Sequence, residues 1–290
     1  MSYETELGNL ITVGNAISTD MTPAFVNGSQ GLALVHTQVF PDSTNVIKFT
    51  KAGYLVAETV AESTDYSYSA SSELTDTAVS CTAAKKVVGA KVTVEAARFA
   101  AASTNPGRMT FELGSAMARL FDYDLKALFT SLATTVTASS SLTKDNIADA
   151  RYSVVSGIKG AFSGKLVGMF DYKGVNEIIK ELSSISATAF ANMELLGVLG
   201  MPKPASGYAG NVLGVDIYQT DGLGTSGGDD IAAVWDPAHC FAAGVDGAGF
   251  YNSLKSPSAI NGLSTEFLTW AFWKIVERND LAGVRVLSDT

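Results

Sequence analysis

Between Arg108 and about Ala133, apolar side chains return every three or four positions: Leu113, Met117, Leu120, Phe121, Leu125, Leu128 and Leu132. Glu112, Arg119, Asp122 and Lys126 fall between them. That spacing predicts one long amphipathic helix, a spine with a single apolar face. The chain before it, residues 45–98, has no helical period and few large apolar residues. It is rich in Thr, Ser, Ala and Val, so it reads as an extended two-stranded loop that must lie on a neighbour. Asn45–Thr50 alternates as one strand, and Val79–Glu95, with β-branched Val87, Val92 and Val94, as a longer one. Between them lies a polar stretch with Tyr54, Tyr66 and Tyr68 among Glu58, Glu62, Asp65, Glu73 and Asp76. A loop of that length without elements of its own usually has a binding role.

Asn105-Pro106-Gly107 is a turn signal just before the spine, and the small residues from Thr134 to Ser141 form a linker after it. Beyond the linker the pattern becomes α/β. Thr143 is placed to cap a helix carrying Ile147, Ala150, Val154, Val155 and Ile158. Lys165–Phe170 is a short apolar strand, and Asp171 caps a second helix with Val175, Ile178, Ile179 and Leu182. Leu213–Thr220 and Ile231–Trp235 read as further strands, and Asp236-Pro237 as the start of a short helix. Phe267–Glu277 and Gly283–Leu287, on either side of Asn279-Asp280, predict a closing hairpin whose Trp270, Phe272 and Trp273 pack on the spine. Residues 1–44, with scattered apolar positions and then Pro23, Gly28, Gly31 and Pro41, look like an arm.

Composition narrows the classes of function. The 290 residues carry a net charge of −9, with only 17% charged residues and a mean hydropathy of +0.19. An acidic chain gains little from phosphate backbones, where Lys and Arg supply the affinity, so a tight nucleic-acid reader is excluded while a container for nucleic acid is not. A weakly polar surface suits packing against other subunits. Cys81 and Cys240 are expected to be reduced and buried. The start, Met1 to Glu6, lacks the basic and apolar regions of a signal peptide, and no apolar run reaches the length of a membrane span.

Little in the chain nominates catalysis. Gly224-Thr225-Ser226-Gly227-Gly228 matches the G-x-S-x-G pattern of a hydrolase nucleophile, with Asp236 and His239 downstream. The pattern requires a strand before and a helix directly after, whereas here glycines precede it and Asp229-Asp230 leads into a strand-like segment. His36 and His239 are the only histidines, and His239-Cys240 lacks the further ligands that a zinc site needs. Asp221, Asp229 and Asp230 lack the spacing of a calcium loop, and no glycine-rich loop has the form of a phosphate cradle. No catalytic, cofactor or metal residue is expected, and Ser226 is carried only as the hydrolase alternative.

The order of these parts resembles that of the major capsid proteins of tailed bacteriophages, whose fold is shared with encapsulin shells. Three stretches look typical: R-M-T-F-E-L-G-S-A-M-A-R-L-F-D-Y-D-L at the start of the spine, N-V-L-G-V-D-I-Y-Q-T-D in the α/β part, and W-K-I-V-E-R-N-D-L-A-G-V-R-V-L at the close. The resemblance implies an α+β fold with an N-terminal arm (1–44) and an extended loop (45–98) that reaches over a neighbouring subunit. It implies a peripheral lobe built from 99–142 and 265–290, and an α/β axial lobe from 143–264. Function is then assembly into pentamers and hexamers of an icosahedral shell around double-stranded DNA, in a virion assembled in the host cytoplasm. Lys51, Tyr54, Glu58, Glu62, Tyr66 and Tyr68 become expected inter-subunit contacts. The implied partners are further copies of the chain, a separate scaffolding protein, a portal and decoration proteins, with only weak, non-specific contact to DNA and no membrane. An encapsulin-type compartment is the alternative shell. Some members of the family join a loop lysine to a neighbour's asparagine; Lys51 and Asn279 have the residue types, but no motif around them matches.

Overall fold

The computed structural model describes residues 21–41, 44–51, 77–93, 106–138, 141–158, 162–185, 207–247, 249–255 and 264–289. Residues 21–28 form helix α1, and Pro106–Ala127 form α2, the predicted spine, which tightens into a 3-10 turn over Leu128–Ser131. Leu113, Met117, Phe121, Leu125, Phe129 and Leu132 are buried as their spacing requires. Leu120 is only half-buried. Asp122 and Lys126, which periodicity assigns to the polar side, are buried too, each 8% exposed. The reason is that α2 is covered on more than one side, so its buried arc is wider than its apolar stripe.

Two sheets flank the spine. The first holds β1 (His36–Val39), β4 (Ala84–Thr93), β11 (Phe241–Val245), β12 (Tyr251–Lys255) and β13 (Ser264–Glu277). β13 is its axis: β4 pairs with it from Ser264 to Trp273 along one edge, while β12 and then β11 share the other edge. The second sheet runs β5 (Thr135–Thr137), β14 (Gly283–Asp289), β10 (Asp229–Trp235), β6 (Leu166–Asp171), β8 (Val215–Thr220) and β7 (Tyr208–Val212), with β9 (Thr225–Ser226) paired to β10. Helices α3 (Lys144–Ile158) and α4 (Tyr172–Ile185) lie along this second sheet.

Their starts are capped as the sequence indicates. The Thr143 hydroxyl accepts from the Asn146 N–H (3.4 Å) while the Asn146 side-chain oxygen accepts from the Thr143 N–H (3.0 Å), a reciprocal arrangement that satisfies the otherwise unpaired donors of a first turn. Asp171 accepts from the N–H groups of Lys173 and Gly174 at 3.0 and 2.7 Å. One continuous core joins both sheets. At its centre the rings of Phe129, Trp235 and Phe241 lie 5.4 to 6.0 Å apart, and the Trp235 indole donates to the Leu34 carbonyl at 3.0 Å.

The structure corrects several expectations. β13 and β14 do not form a closing hairpin; they belong to different sheets. Between them the Asn279 side chain accepts from the Leu281 N–H (3.2 Å) and opens a 3-10 turn over Asp280–Ala282. The Ala282 carbonyl accepts from the Asp236 N–H (2.9 Å), so this turn is anchored to the end of β10 and sends β14 alongside it. Strand pairing therefore crosses the boundary expected near residue 264. The long strand expected over residues 79–95 breaks at Ala83: β3 (Thr77–Thr82) pairs with β2 (Val46–Lys51) as a separate ribbon, and β4 joins β13. From residue 21 to 41 the stretch read as an arm enters the fold, with Met21 and Leu34 fully buried and β1 paired in parallel with β11, while residues 1–20 lie outside the described residues. Pro237 and Ala238 form a turn rather than a helix.

The β2–β3 ribbon docks through Ile47, Phe49 and Cys81, which pack with Phe40 and Ala242. Gly244 makes this seat possible, because a Cβ there would lie 2.5 Å from Phe40 and 3.1 Å from the Cys81 sulfur. Gly244→Val is expected to cost about 1–3 kcal/mol by overpacking, with amide-exchange protection lost first in β2 and β3.

Candidate subunit-contact surface

Alternation along β13 gives its sheet two faces. Thr269, Ala271, Trp273 and Ile275 are buried on the spine side. Trp273 packs 5.9 Å from Phe121 and donates its indole N–H to Asp124 at 3.0 Å. Lys86 on β4 reaches the same carboxylate at 2.7 Å. Leu268, Trp270, Phe272 and Lys274 turn the other way, so of the two tryptophans expected against the spine only Trp273 is there.

The face away from the spine is divided. At the β11 end the ribbon covers it, with the Cys81 thiol donating to the Lys274 carbonyl at 3.3 Å. Toward the other end it stands open. Register places Lys85, Val87, Gly89 and Lys91 of β4 on this face, and all four are exposed. Tyr251 of β12 stacks on Trp270 (6.0 Å, 11°) and meets Phe272 edge-on. The Lys85 ammonium sits 4.7 Å above the Trp270 ring, within the range where a ring face attracts a cation. Lys91 pairs with Glu266 at 3.8 Å, and the Tyr251 hydroxyl donates to Asp246 at 2.9 Å, the contact that pushes its phenol pKa up. Leu268 and Val87 are 40% and 46% exposed. On a chain of net charge −9 this is a cationic, aromatic face. On α2, Phe111 and Tyr123 are also exposed, by 60% and 63%.

Of the expected contact residues, Lys51 ends β2, and its ammonium lies 3.1 Å from Asp280 of the same chain. Both are about one-third exposed or more, so the pair contributes little to stability. Tyr54, Glu58, Glu62, Tyr66 and Tyr68 lie outside the described residues.

Ser226 stands on a hairpin, not a nucleophile elbow. It is exposed on β9 opposite Asp229, and Gly227 and Gly228, at φ 69° and 105°, turn the chain straight into β10. Asp236 and His239 follow the far end of β10, six strand steps or about 20 Å away. There Asp236, fully buried, accepts from the Ser163 N–H (2.9 Å), the Ser163 hydroxyl (2.8 Å) and the Ala238 N–H (2.9 Å), the pattern of a structural tie. Both cysteines are free and buried, and burial holds the Cys240 thiol well above its usual range. Among the described residues no three His, Cys, Asp or Glu side chains group so as to hold a metal ion, and no helix is long and apolar enough to cross a membrane.

Sequence reasoning passed over the open sheet face, although a signal for it exists. Large apolar residues occupy both parities of 267–276, which marks a strand with apolar groups on its two faces.

No family model and no curated protein matches the sequence. Solved structures do. The acid-stable capsid of Helicobacter pylori bacteriophage KHP30 superposes with a TM-score of 0.66 at 10% identity, over 90% of this chain and 91% of that one. The capsid of Ralstonia phage GP4 gives 0.65 at 8% identity, over 89% and 87%. A virus-like particle from Pyrococcus furiosus gives 0.57 at 9% identity, over 94% and 98%. About nine-tenths of each chain is matched, so this chain has the capsid fold of tailed bacteriophages.

Proposed function

We propose that this chain is the major capsid protein of a tailed bacteriophage, a subunit that assembles into hexamers and pentamers of a closed shell around double-stranded DNA. The observation that carries the reading is the agreement of fold over about nine-tenths of both chains with phage capsid structures. On this reading the spine and the β13-centred sheet form the peripheral lobe, and the β10-centred sheet with α3 and α4 forms the axial lobe at the ring centre. The ribbon leads into residues 52–76, which hold five carboxylates and no Lys, Arg or His. Charge favours seating that segment, with Tyr54, Glu58, Glu62, Tyr66 and Tyr68, on the cationic aromatic face of a neighbouring copy. Individually weak contacts repeated round a ring form at high effective concentration, which makes the shell far more stable than any one pair. A separate scaffolding protein, a portal and decoration proteins are the further partners, and the acidic chain touches packaged DNA only weakly. Assembly takes place in the host cytoplasm, and the shell becomes part of the virion.

Co-expression with its genomic neighbours is expected to yield closed shells by electron microscopy; a strictly monomeric chain under all such conditions overturns the proposal. The fold shared with the Pyrococcus furiosus particle keeps an encapsulin-type compartment as the second reading. Nuclease-protected DNA inside purified particles supports the phage reading, and a protein cargo in its place supports the compartment. Deleting residues 66–72 is expected to leave the unfolding free energy from urea titration within about 0.5 kcal/mol of wild type while closed shells are lost from sedimentation profiles.

A further inference from the structure

The β10-centred sheet ends in two unlike surfaces. At one end the chain turns from β7 into β8 through Leu213-Gly214, and β8 then starts beside Leu166, the first residue of β6. Leu213 has φ 52° and Gly214 φ 84°, the left-handed pair of a tight hairpin turn, which Asn-Gly adopts readily and which crowds the Cβ of a leucine. Leu213 is also 47% exposed, so burial within its own chain does not offset that strain. Beside it, Tyr152 on α3 is 75% exposed. Together with Ala148, Arg151 and Val155 these two side chains line an open hollow of about 260 Å³. Arg151 is itself exposed, and among the described residues it has no ion-pair partner. Lys165 adds a second cation at this end, 3.8 Å from Asp216, whose carboxylate also accepts from the Asn211 side chain at 2.7 Å.

The opposite end is acidic and aromatic. The six residues of β6, Leu166–Asp171, place it about 17 Å away. Tyr172, which opens α4 there, is 58% exposed. Asp171 pairs in register with Thr220, so Asp221 follows on one side, and the start of β10 brings Asp229 and Asp230 to the other. Burial, then the Asp171 carboxylate, push the Asp230 carboxyl above its ordinary 3.8 against the pull of Lys173. Lys173 therefore offsets only part of the negative charge.

These ends complement each other, and neither complements itself. Arg151 set against Arg151, or Asp230 against Asp230, would repel, which disfavours a symmetric pairing of like patches. A head-to-tail contact remains, the kind that closes into rings. We infer that the β10-centred lobe joins a second copy of this chain head to tail, Tyr172 of one copy entering the hollow beside Leu213 and Tyr152 of the next, where Arg151 meets Asp171 and Asp230. On the capsid reading, on which this contact rests, these are the surfaces that close each ring. The strained turn then has a use: it holds Leu213 outward, where another copy buries it.

In a Tyr172→Cys, Leu213→Cys double variant, a bismaleimide shorter than β6 cannot bridge the two new thiols of one chain, and Cys81 and Cys240 are buried. Applied to particles co-expressed with the genomic neighbours, the reagent is expected to give a covalent ladder on denaturing gels, from dimers up to the full ring. Neither single variant should give it. Particles without the ladder, or with the same ladder in a single variant, overturn the contact and leave the capsid reading standing. A wild-type chain that forms no particles overturns both. Arg151→Glu is expected to lower particle yield roughly tenfold, and adding Asp230→Arg to the same chain is expected to restore it. An undiminished yield, or no recovery, overturns the contact, and this charge exchange decides where the cysteine pair itself blocks assembly.

Discussion

Phe121→Asp is expected to leave no cooperatively folded protein. Phe121 is fully buried in the middle of α2, with the rings of Phe25 and Trp273 both 5.9 Å away. It is the point where α1, the spine and the β13-centred sheet meet. Truncating a buried Phe costs about 3–5 kcal/mol, and a carboxylate left unpaired in that site adds several more. The sum reaches the whole stability of an ordinary domain, about 5–15 kcal/mol. Circular dichroism in a urea titration should show a sigmoidal transition for wild type and none for the variant. Tyr123→Asp, two residues along and 63% exposed, should change the unfolding free energy by no more than about 0.5 kcal/mol. A Phe121→Asp chain with a wild-type midpoint would remove the spine from its central place. The same substitution at half-buried Leu120 should be milder.

Asp122→Ala is expected to cost about 2–4 kcal/mol and to free the chain's N-terminal side from the spine. The Asp122 carboxylate accepts from the Ser29 hydroxyl at 2.7 Å, the Gly31 N–H at 2.8 Å and the Gln30 N–H at 3.1 Å. Removing it strands buried donors, each worth about 1–3 kcal/mol when left unsatisfied. One helical turn on, Lys126 donates to Thr220 at 3.4 Å and to the Asp221 carbonyl, so adjacent polar groups of the spine tie it to residues 29–31 and to the end of β8. Burial pushes the Asp122 carboxyl up from 3.8, against the pull of Ser29, Gly31, Gln30 and Lys126. With the folded pKa raised, this group's titration favours the fold most below 3.8 and less as pH rises through the folded value. Asp122→Asn keeps one acceptor oxygen and should lose less. Urea titrations give the energies, and amide exchange of residues 21–31 shows whether the loss is local to the latch.

The spine was legible because its information is local: a period of three to four residues is visible in any window. The caps at Thr143 and Asp171 were legible for the same reason. Asp122 and Lys126 were not, because their partners lie about ninety residues away in sequence and periodicity records only polarity. Asn279-Asp280 does make a turn, but which sheet β14 joins depends on the Ala282 carbonyl meeting Asp236, a contact no local pattern contains. Ala83, where one extended run changes partners, has no marker of its own. For the candidate surface, the sequence showed the acidic tyrosine-bearing stretch but not the cationic face with Trp270 and Tyr251, because only strand register places side chains from β4, β12 and β13 together.

β13 is the axis of one sheet, and β14 is inserted between β5 and β10 of the other. Each sheet thus receives an indispensable strand from residues 264–289, paired across most of its length. During synthesis neither sheet has its full set of these strands until residues 264–289 have left the ribosome, and such non-local pairing is intrinsically slow. A partly made chain therefore leaves β4, β10, β11 and β12 without the strands that they pair with in the finished fold. The topology works as a timer: it delays the completion of both sheets until residues 264–289 have been made.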